Sequence, residues 1–510
     1  MKIAAYIHPV AQALGPNFNC AWFEILAKLL QTLRRDADCD CMMIAGDWPI
    51  RWAREVGRAD LLEGIRVAAL DEVALYRKLG ALGALPTALD QVAYGTESPH
   101  DGALPALAAE VARCTRGFVP DVVISFAIQT DFLAALWPRA TRLHVETGAY
   151  SRNPYPFSLF FDHVGMYRRS IIGRAGCALR SHRATDDALA LASAFRTRNA
   201  LALDAVDPFG STDFRAKFDR LVLLPLQVSN YYSFDEQSHY RTQFEYLLDV
   251  LAATPPEVGV IVTEYLEWGH VLKSAGCGEN IGYLQANFAN LIFLDQFRAY
   301  ASPSQFLARR VDGVWSVSSN VGYQGFLYNR ALGSPATSHL AGIAQATTFA
   351  DFFRQIESAA PINNDATLAW LLERYFVPEA LLADGRWLRD YFERRIAAAA
   401  ESKSPLDAFV PCADTDRLMQ AWVVKAPKSR AAKAIQPMDA ALAEAYTARV
   451  DARAAQQALD AVLHSTSWRL TAPLRSLSVV ARNCRDQIAA MLPGAIRTEP
   501  AQRAPVLPMR

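Results

Sequence analysis

The feature that most constrains this fold is an alternation of short apolar segments with helical patterns, which starts again midway along the chain. The strand-like segments of the first half are 3–7, 42–45, 65–70, 122–126 and 143–146, and helical patterns cover 21–33, 104–114 and 131–136. In the second half the strand-like segments are 221–226, 258–263, 291–294 and 314–317, with helical patterns at 240–251 and 304–309. This alternation is typical of parallel α/β layers.

A linker-like passage, 204–214, separates the two halves and contains Pro208 and Gly210. We therefore predict an α/β fold with two Rossmann-like doubly wound domains, 1–215 and 216–400, that face a cleft. The remaining residues, 401–510, are predicted to be a linker followed by a basic amphipathic helical tail. In a pair of such domains, the ligand cleft lies between the carboxyl ends of the two sets of parallel strands.

The composition fits a chain that buries two cores. Of the 510 residues, 52% are hydrophobic and 20% are charged, which is enough for two domains and an extension. The formal net charge is zero, so no overall positive field would attract nucleic acid. The cysteines form no Cys-x-x-Cys pair, which disfavours structural zinc and fits reduced thiols in the cytoplasm.

Neither a secretory signal nor a membrane-spanning segment is expected from the pattern of apolar residues. The first apolar run, in MKIAAYIHPV, is interrupted too soon for a signal peptide. Towards the end of the chain, HSTSWRLTAPLRSLSVVAR interleaves arginines with apolar residues. A basic amphipathic segment of this kind can lie on an anionic membrane surface, and it can equally pack on the protein or in an oligomer.

The segment 311–330 has the pattern of a buried strand, a serine-rich turn and a helix. Gly313 to Val317 are β-prone, and the residues after them, Ser318, Ser319 and Asn320, are good helix N-caps before a helical pattern at 321–329. Hydroxyls and free backbone N–H groups at the positive end of a helix suit a phosphate group. The alternative is an ordinary capped helix after a strand.

Glu146 is the candidate acid or base of the first half. It comes at the end of a predicted strand and is followed by Thr147 and Gly148, so we expect its carboxylate to point into the cleft. Arg152 and Asp162 are expected to shape the same loop. The alternative role for Glu146 is to cap the next turn.

The second half offers polar side chains after three predicted strands. Gln227 follows the first strand, and Asp235 comes after an aromatic turn, where it could be a reacting group or could cap a helix that begins near Gln237. Thr263 to His270 follow the next strand and include Glu264 and Glu267. Ser302, Ser304 and Gln305 precede the serine turn.

Three sequence blocks follow one another: VETGAYSRNPYP with FDHVGM, LLPLQV with YYSFD, and SPSQFLARRVDGVWSVSSNVGYQGFLYNRAL. Their order resembles the capsule-type β-Kdo glycosyltransferases, which are retaining enzymes of capsule and O-antigen assembly. The resemblance covers most of residues 120–400, including DATLAWLLERYFVPEALL near residue 365. The later STSWRLTAPLR also resembles a segment at the ends of many bacterial polysaccharide glycosyltransferases.

The resemblance implies a GT-B arrangement, with 1–215 on the acceptor side and 216–400 binding the nucleotide sugar. It implies a metal-independent enzyme without a cofactor that transfers Kdo from CMP-Kdo with retention at the anomeric carbon. Glu146 matches the acidic residue that assists transfer to the acceptor hydroxyl, and Ser318 and Ser319 would hold the CMP phosphate. Asp235 is the candidate nucleophile, with another carboxylate such as Glu264 or Glu267 as the alternative. The other donor-side candidates are Gln227, Glu264, Tyr265, His270, Ser302, Gln305 and Asn320.

One departure from the family pattern concerns the nucleotide. Many CMP-sugar transferases carry a His-Pro pair after the second strand of the nucleotide domain, where this chain has Thr263-Glu264-Tyr265-Leu266. His8-Pro9 follows the first strand of the other half and does not match. Either Tyr265 or His270 replaces the contact, or the nucleotide binds differently.

Three functions follow as hypotheses. The first is a retaining Kdo transferase that acts on a surface polysaccharide or a lipid-linked glycan, cytoplasmic or peripheral at the inner face of the inner membrane. The second is a glycosyltransferase of the same architecture with another donor. The third is a non-catalytic module that binds polysaccharide assembly proteins through the basic tail.

Overall fold

The computed structural model describes residues 1–423, except 10–16, 86–87, 94–101, 128–129, 153–154, 206, 228–231, 265–279, 295, 298–301 and 359. The helical patterns and the basic amphipathic segment after residue 424 lie outside these residues. So do the candidates Tyr265, Glu267 and His270.

The strands are short and apolar, as the sequence pattern predicts. They are β1 Lys2–Ile7, β2 Asp40–Gly46, β3 Arg66–Leu70, β4 Val122–Phe126, β5 Thr141–Thr147, β6 Ser158–Asp162, β7 Arg220–Pro225, β8 Val258–Thr263, β9 Leu291–Ile292, β10 Gly313–Trp315, β11 Ala331–Gly333 and β12 Phe376–Pro378.

The helices of the first half are α1 Asn17–Ala37, α2 Asp47–Glu55, α3 Glu72–Ala81, α4 Ala88–Ala93, α5 Ala103–Thr115, α6 Asp131–Leu136, α7 Ile171–Arg180 and α8 Asp186–Asp204. Those that follow are α9 Tyr232–Asp235, α10 Gln243–Ala253, α11 Asn280–Asn287, α12 Ser304–Leu307, α13 Val321–Leu327, α14 Phe349–Glu357, α15 Asp365–Trp370, α16 Glu379–Leu382, α17 Gly385–Glu401 and α18 Thr415–Ala421.

The first sheet has the strand order β12-β6-β5-β4-β1-β2-β3, in which β5, β4, β1, β2 and β3 are parallel. Alternate residues of β1 enter two different cores: Ile3, Ala5 and Ile7 pack on one face, and Ala4 and Tyr6 on the other. A sheet covered on both faces needs apolar side chains in both directions, which explains the continuous apolar runs in the sequence. The strand order reverses beside β1, because β2 and β4 lie on opposite sides of it.

The second sheet is parallel throughout, with the order β11-β10-β7-β8-β9. Its core is made of apolar residues between 203 and 356. The predicted fold class, two Rossmann-like halves, is confirmed by these two sheets. All the strands predicted from sequence are present, although β9 and β10 are shorter than the predicted 291–294 and 314–317.

The chain returns to the first sheet after residue 365. The strand β12 pairs antiparallel with β6, and a guanidinium N–H of the buried Arg395 in α17 donates to the carbonyl of Phe161 in β6 (3.2 Å). The sequence analysis placed 376–378 in the second unit and did not predict β6 or β12. Both strands are antiparallel additions at the edge of the sheet, and strand alternation with helices carries no signal for them.

Among the helices of the described residues, none is long and apolar enough to cross a membrane.

Candidate functional site at the carboxyl ends of the strands

Glu146 lies one residue before the end of β5. Its Oε1 accepts hydrogen bonds from the backbone N–H of Thr147 (2.7 Å) and from the Thr147 hydroxyl (2.9 Å), and its Oε2 accepts one from the Tyr167 hydroxyl (3.0 Å). Burial raises the pKa of Glu146, while these bonds and the Arg152 charge act in the lowering direction. The bond to the Thr147 N–H fits a capping role, but the Tyr167 contact is one that capping does not require.

Asp162 ends β6 and anchors the loop that carries Tyr167. Its two carboxyl oxygens accept hydrogen bonds from the backbone N–H groups of Val164 (2.7 Å), Gly165 (3.3 Å) and Ile171 (2.8 Å), and from the Tyr375 hydroxyl (3.1 Å). Asp162 is fully buried, and burial raises its pKa to about 6. The expectation that Asp162 shapes this loop agrees with these contacts.

Tyr167 connects the first sheet to two residues of the second half of the chain. Its ring centroid lies 5.9 Å from that of Tyr232, at the start of α9, and 5.6 Å from that of His339. The same Tyr232 ring lies 6.3 Å from Phe126 at the end of β4. These aromatic contacts bring the Glu146 loop and α9 together, although they lie far apart in the sequence.

Two neighbouring acids, Asp235 and Glu236, end α9 and begin the turn after it. Asp235 is exposed as a residue, yet the surrounding protein desolvates its carboxyl group and raises its pKa to about 6. Glu236 is half-buried, and burial raises its pKa to about 7, against the lowering influence of Arg168 and Arg169. Its Oε2 is buried and has no hydrogen-bond partner.

No helix begins near Gln237, so the alternative in which Asp235 caps such a helix is wrong. The next helix, α10, begins at Gln243, and its cap is Thr242, whose hydroxyl accepts from the N–H of Glu245 (3.1 Å). Gln237 is instead fully buried. Its Oε1 accepts from the backbone N–H of His339 (2.7 Å) and lies 2.6 Å from the His339 Nδ1.

Gln227 and Ser318 are brought together at the carboxyl edge of the second sheet. Ser318 donates its hydroxyl to the Gln227 Oε1 (2.9 Å), and the Gln227 backbone N–H donates to the Gln243 Oε1 (2.9 Å). The two residues come from the segments after β7 and β10, which are neighbours in the sheet. Carboxyl ends of adjacent parallel strands meet at one edge, so this pair follows from the topology.

Ser319 and Asn320 begin α13 in different ways. The Ser319 hydroxyl accepts from the Val321 N–H (3.3 Å), while Asn320 takes the N-cap position without a side-chain hydrogen bond. The helix ends at Leu327 and is shorter than the predicted 321–329. Of the three predicted caps, only Ser319 therefore acts on the backbone of this turn.

The remaining donor-side candidates lie after β8 and in α12. Thr263 and Ser304 share a hydrogen bond between their hydroxyls (2.8 Å), and the buried Gln305 donates its amide to the carbonyl of Arg152 (3.0 Å). Glu264 is buried next to Thr263, and Ser302 is half-buried just before α12, where its carbonyl accepts from the Gln305 N–H (3.2 Å). Gln305 thus joins α12 to the loop that follows Glu146.

No group of three or more His, Cys, Asp or Glu side chains that could hold a metal ion occurs among the described residues. His8 of the unmatched His-Pro pair is buried, with its Nδ1 2.8 Å from the Tyr6 hydroxyl and its Nε2 2.7 Å from the carbonyl of Leu89. Burial lowers its pKa to about 4, so His8 is neutral at pH 7.

Sequence reasoning missed Tyr167, Glu236 and the Gln237–His339 contact. Tyr167 directly follows the quoted motif FDHVGM, but a tyrosine in a loop gives no signal of its own. Glu236 stands beside the candidate Asp235, and only the structure shows that its carboxyl group is the more desolvated of the two. His339 lies outside every block that the sequence analysis singled out.

A scan against protein-family models and a search of curated proteins gave no match. A search of solved structures gave matches. One is the β-Kdo 2,7 transferase of Thermosulfurimonas dismutans KpsC, at 14% identity and a TM-score of 0.34, covering 55% of this chain and 83% of that one.

A second match is the β-Kdo 2,4 transferase of the same KpsC, at 16% identity and a TM-score of 0.30, over 49% of this chain and 79% of that one. A third is the UDP-GlcNAc 2-epimerase of Neisseria meningitidis bound to UDP-GlcNAc, at 11% identity and a TM-score of 0.32, over 77% and 100%. All three TM-scores lie below 0.5.

Proposed function

We propose that this chain is a retaining glycosyltransferase that moves Kdo from CMP-Kdo to a surface-polysaccharide or lipid-linked glycan acceptor without a metal ion. The observation that carries the proposal is the convergence of Glu146 with α9, which ends in Asp235, through the Tyr167–Tyr232 contact. The motif order of the sequence supports it. The proposal takes one carboxyl group from each half of the chain, as double displacement requires.

In the first step, the Asp235 carboxylate attacks the anomeric carbon of the donor sugar. The bond between that carbon and the phosphate oxygen breaks, its electron pair leaves with CMP, and a glycosyl ester forms on Asp235. The raised pKa of about 6 still leaves Asp235 mostly ionised at pH 7. A carboxylate that is only partly solvated is also the better nucleophile of two otherwise equal ones.

In the second step, the acceptor hydroxyl attacks the same carbon while Glu146 accepts its proton. The ester bond breaks, and its electron pair returns to Asp235, so the configuration is retained overall. Glu146 suits this role because burial raises its pKa towards the working pH while three donors still stabilise the charged form.

The CMP phosphate is proposed to bind near Ser318 and Ser319. Ser318 lies beside Gln227 at the strand edge, and both hydroxyls come before a helix N-terminus. A CMP leaving group carries one phosphate, so neutral donors can stabilise its charge without a metal ion. We place the acceptor on the other side, at the carboxyl ends of β1 and β4, where the strand order reverses.

The experiment that tests the proposal is mass spectrometry of the intact protein after incubation with freshly generated CMP-Kdo. We expect a Kdo-sized adduct on the wild type and none on Asp235→Asn. Glu236→Gln is the matched control, because it removes the neighbouring desolvated carboxyl group and should keep the adduct. An adduct on Asp235→Asn that is lost in Glu236→Gln would assign the nucleophile to Glu236.

A second candidate function is transfer from a different nucleotide sugar. The sequence Thr263-Glu264-Tyr265-Leu266 in place of a His-Pro pair favours it, since a usual nucleotide contact is missing. A panel of activated sugars, scored by release of the nucleotide, separates the two candidates. Release of CMP from CMP-Kdo alone would favour the first, and release only from another donor would favour the second.

We also propose that the basic amphipathic sequence HSTSWRLTAPLRSLSVVAR, residues 464–482, brings the enzyme to an anionic membrane surface. Deleting 438–510 should then leave transfer to a soluble acceptor intact and reduce co-sedimentation with anionic vesicles. Vesicle binding that is unchanged by the deletion would remove the membrane role from the tail.

A further inference from the structure

We propose that Tyr167 is a positioning residue for Glu146, whose hydroxyl holds the Glu146 carboxylate in its charged form and in one orientation. This inference rests on the proposed function for its consequence in catalysis. The hydrogen bond itself, from the Tyr167 hydroxyl to the Glu146 Oε2 at 3.0 Å, does not depend on that function.

The backbone of Tyr167 is held in a conformation that a large side chain rarely adopts. Its φ angle is +50°, in the left-handed region that favours glycine. A non-glycine residue in this region is strained, and it persists only where its surroundings over-determine it. Such strain is found at functional sites more often than elsewhere, which makes this tyrosine a candidate.

The surroundings of Tyr167 do fix it on both sides. A Cβ atom at Gly165 would lie 2.6 Å from the carbonyl oxygen of Arg169, and one at Gly173 would lie 2.7 Å from that of Tyr167 itself. Ser170 closes the loop, because its backbone N–H (2.9 Å) and its hydroxyl (2.5 Å) both donate to the Tyr167 carbonyl. The loop is thus built around the strained residue.

The ring of Tyr167 is fixed by contacts that a surface tyrosine would lack. Tyr232 packs against it from α9, and the buried His339 packs against it from the segment after β11. Burial lowers the pKa of His339 to about 3, so this neighbour adds no charge at pH 7. The Tyr167 hydroxyl therefore has one defined direction, towards Glu146.

The direction in which the pKa of Glu146 should change follows from the hydrogen-bond donors and the charge around its carboxyl group. The groups that act on the pKa of Glu146 are Thr147, Tyr167 and Arg152, and all three favour the charged form against burial. Removing one donor to a carboxylate raises its pKa. We therefore expect Tyr167→Phe to raise the pKa of Glu146 by about one pH unit.

The test is a difference infrared titration of the full chain that follows the carboxyl band absent from Glu146→Gln. The matched control is Tyr375→Phe, which removes a tyrosine donor from Asp162 and loosens the same loop without touching Glu146. Tyr167→Phe should move the titration to higher pH, and Tyr375→Phe should leave it in place. Circular dichroism establishes that both variants are folded.

Two results would overturn the inference: an unchanged titration in folded Tyr167→Phe, or an equal rise in Tyr375→Phe. If transfer activity is found, the acid limb of adduct breakdown, the step in which Glu146 accepts the proton, should move upward in Tyr167→Phe alone, which a merely structural role would not cause. If the titration moves as expected but no activated sugar is turned over, the positioning role stands and the proposed function fails.

Discussion

The carboxyl edges of the two sheets hold their acids in different ways. In the first sheet, Glu146 near the carboxyl end of β5 and Asp162 at the end of the antiparallel β6 each accept three or more hydrogen bonds from backbone, threonine or tyrosine donors. Beyond the second edge, Asp235 has only burial acting on its pKa, and a carboxyl oxygen of Glu236 has no partner. The first edge keeps its acids oriented, while the second leaves acids available for a substrate.

The side chains that hydrogen-bond to each other at the second edge are neutral, although the acid Glu264 is buried beside Thr263. Ser318 bonds to Gln227, and Thr263 bonds to Ser304. Amides and hydroxyls bind a nucleotide without competing for a proton. Under the proposed function, the difference between the edges corresponds to a division of work, with proton transfer on the first sheet and donor binding on the second.

The largest expected effect comes from Glu146, whose carboxylate is oriented by its hydrogen bonds. Glu146→Gln keeps the shape of the side chain and removes its capacity to accept a proton, so transfer should fall by about 10²–10⁴-fold. Binding of CMP, measured by calorimetry, should change little, because the nucleotide is assigned to the other edge. Turnover like that of the wild type would remove Glu146 from the mechanism.

The next effect is a dependence of the transfer rate on pH that reports the ionisation of Asp235. Burial raises the pKa of Asp235 to about 6, and the nucleophile must be ionised. The rate should therefore fall about tenfold for each pH unit below about 6. A rate that stays constant from pH 7 to pH 5 would exclude Asp235 as the nucleophile.

Protonation of Asp162 would not cause this loss of rate by unfolding the protein in acid. Burial also raises the pKa of Asp162 to about 6, so the folded state binds this proton more tightly than the unfolded chain. The contribution of Asp162 to stability therefore grows as the pH falls from about 6 towards the usual range of an aspartate. Circular dichroism at each pH checks that the protein stays folded.

A smaller effect is expected at the neutral edge. Ser318→Ala removes one hydroxyl from the proposed phosphate site and leaves Gln227 without its donor, which should weaken CMP binding by about 3–10-fold. Ser125→Ala is the control, since the Ser125 hydroxyl is buried in the first sheet without a hydrogen-bond partner. Equal losses in the two variants would contradict the assignment of the nucleotide to the second edge.

Much of the fold could be predicted because its parallel strands are buried on both faces. The runs 122–126 and 258–263 coincide with β4 and β8, since a strand in a doubly covered sheet is apolar throughout. The alternation of apolar runs with helical patterns did not predict elements that are fixed by other interactions. The strand β12 follows a π-helical turn at Leu371–Tyr375 and is fixed by pairing with a strand more than two hundred residues earlier.

The site could be predicted only as far as strand ends reveal it. Gln227 and Ser318 follow adjacent parallel strands, so their meeting was predictable in kind. Tyr167 and Glu236 were not, because their importance comes from a left-handed backbone and from desolvation. Neither property can be predicted from the local sequence, since both arise when distant elements pack together.

The smallest expected effect tests whether CMP binding at the edge of the second sheet depends on the stability of α10. Thr242 caps α10, and the first residue of that helix, Gln243, accepts from the Gln227 N–H. Thr242→Ala should lower the free energy of unfolding by about 1 kcal/mol, as loss of a cap does, and should weaken CMP binding less than about threefold. Denaturant unfolding and calorimetry measure the two quantities.

Thr185→Ala is the matched control, because Thr185 caps α8 through the N–H of Ala188 and the cap makes no contact with Gln227. It should lower stability by a similar ~1 kcal/mol and leave CMP binding unchanged. If both variants weaken CMP binding equally, the effect is one of general stability. If only Thr242→Ala weakens CMP binding, α10 supports the nucleotide site by holding Gln227 in place. The side chains at the edge of the second sheet are then held in position by hydrogen bonds, as the acids of the first sheet are.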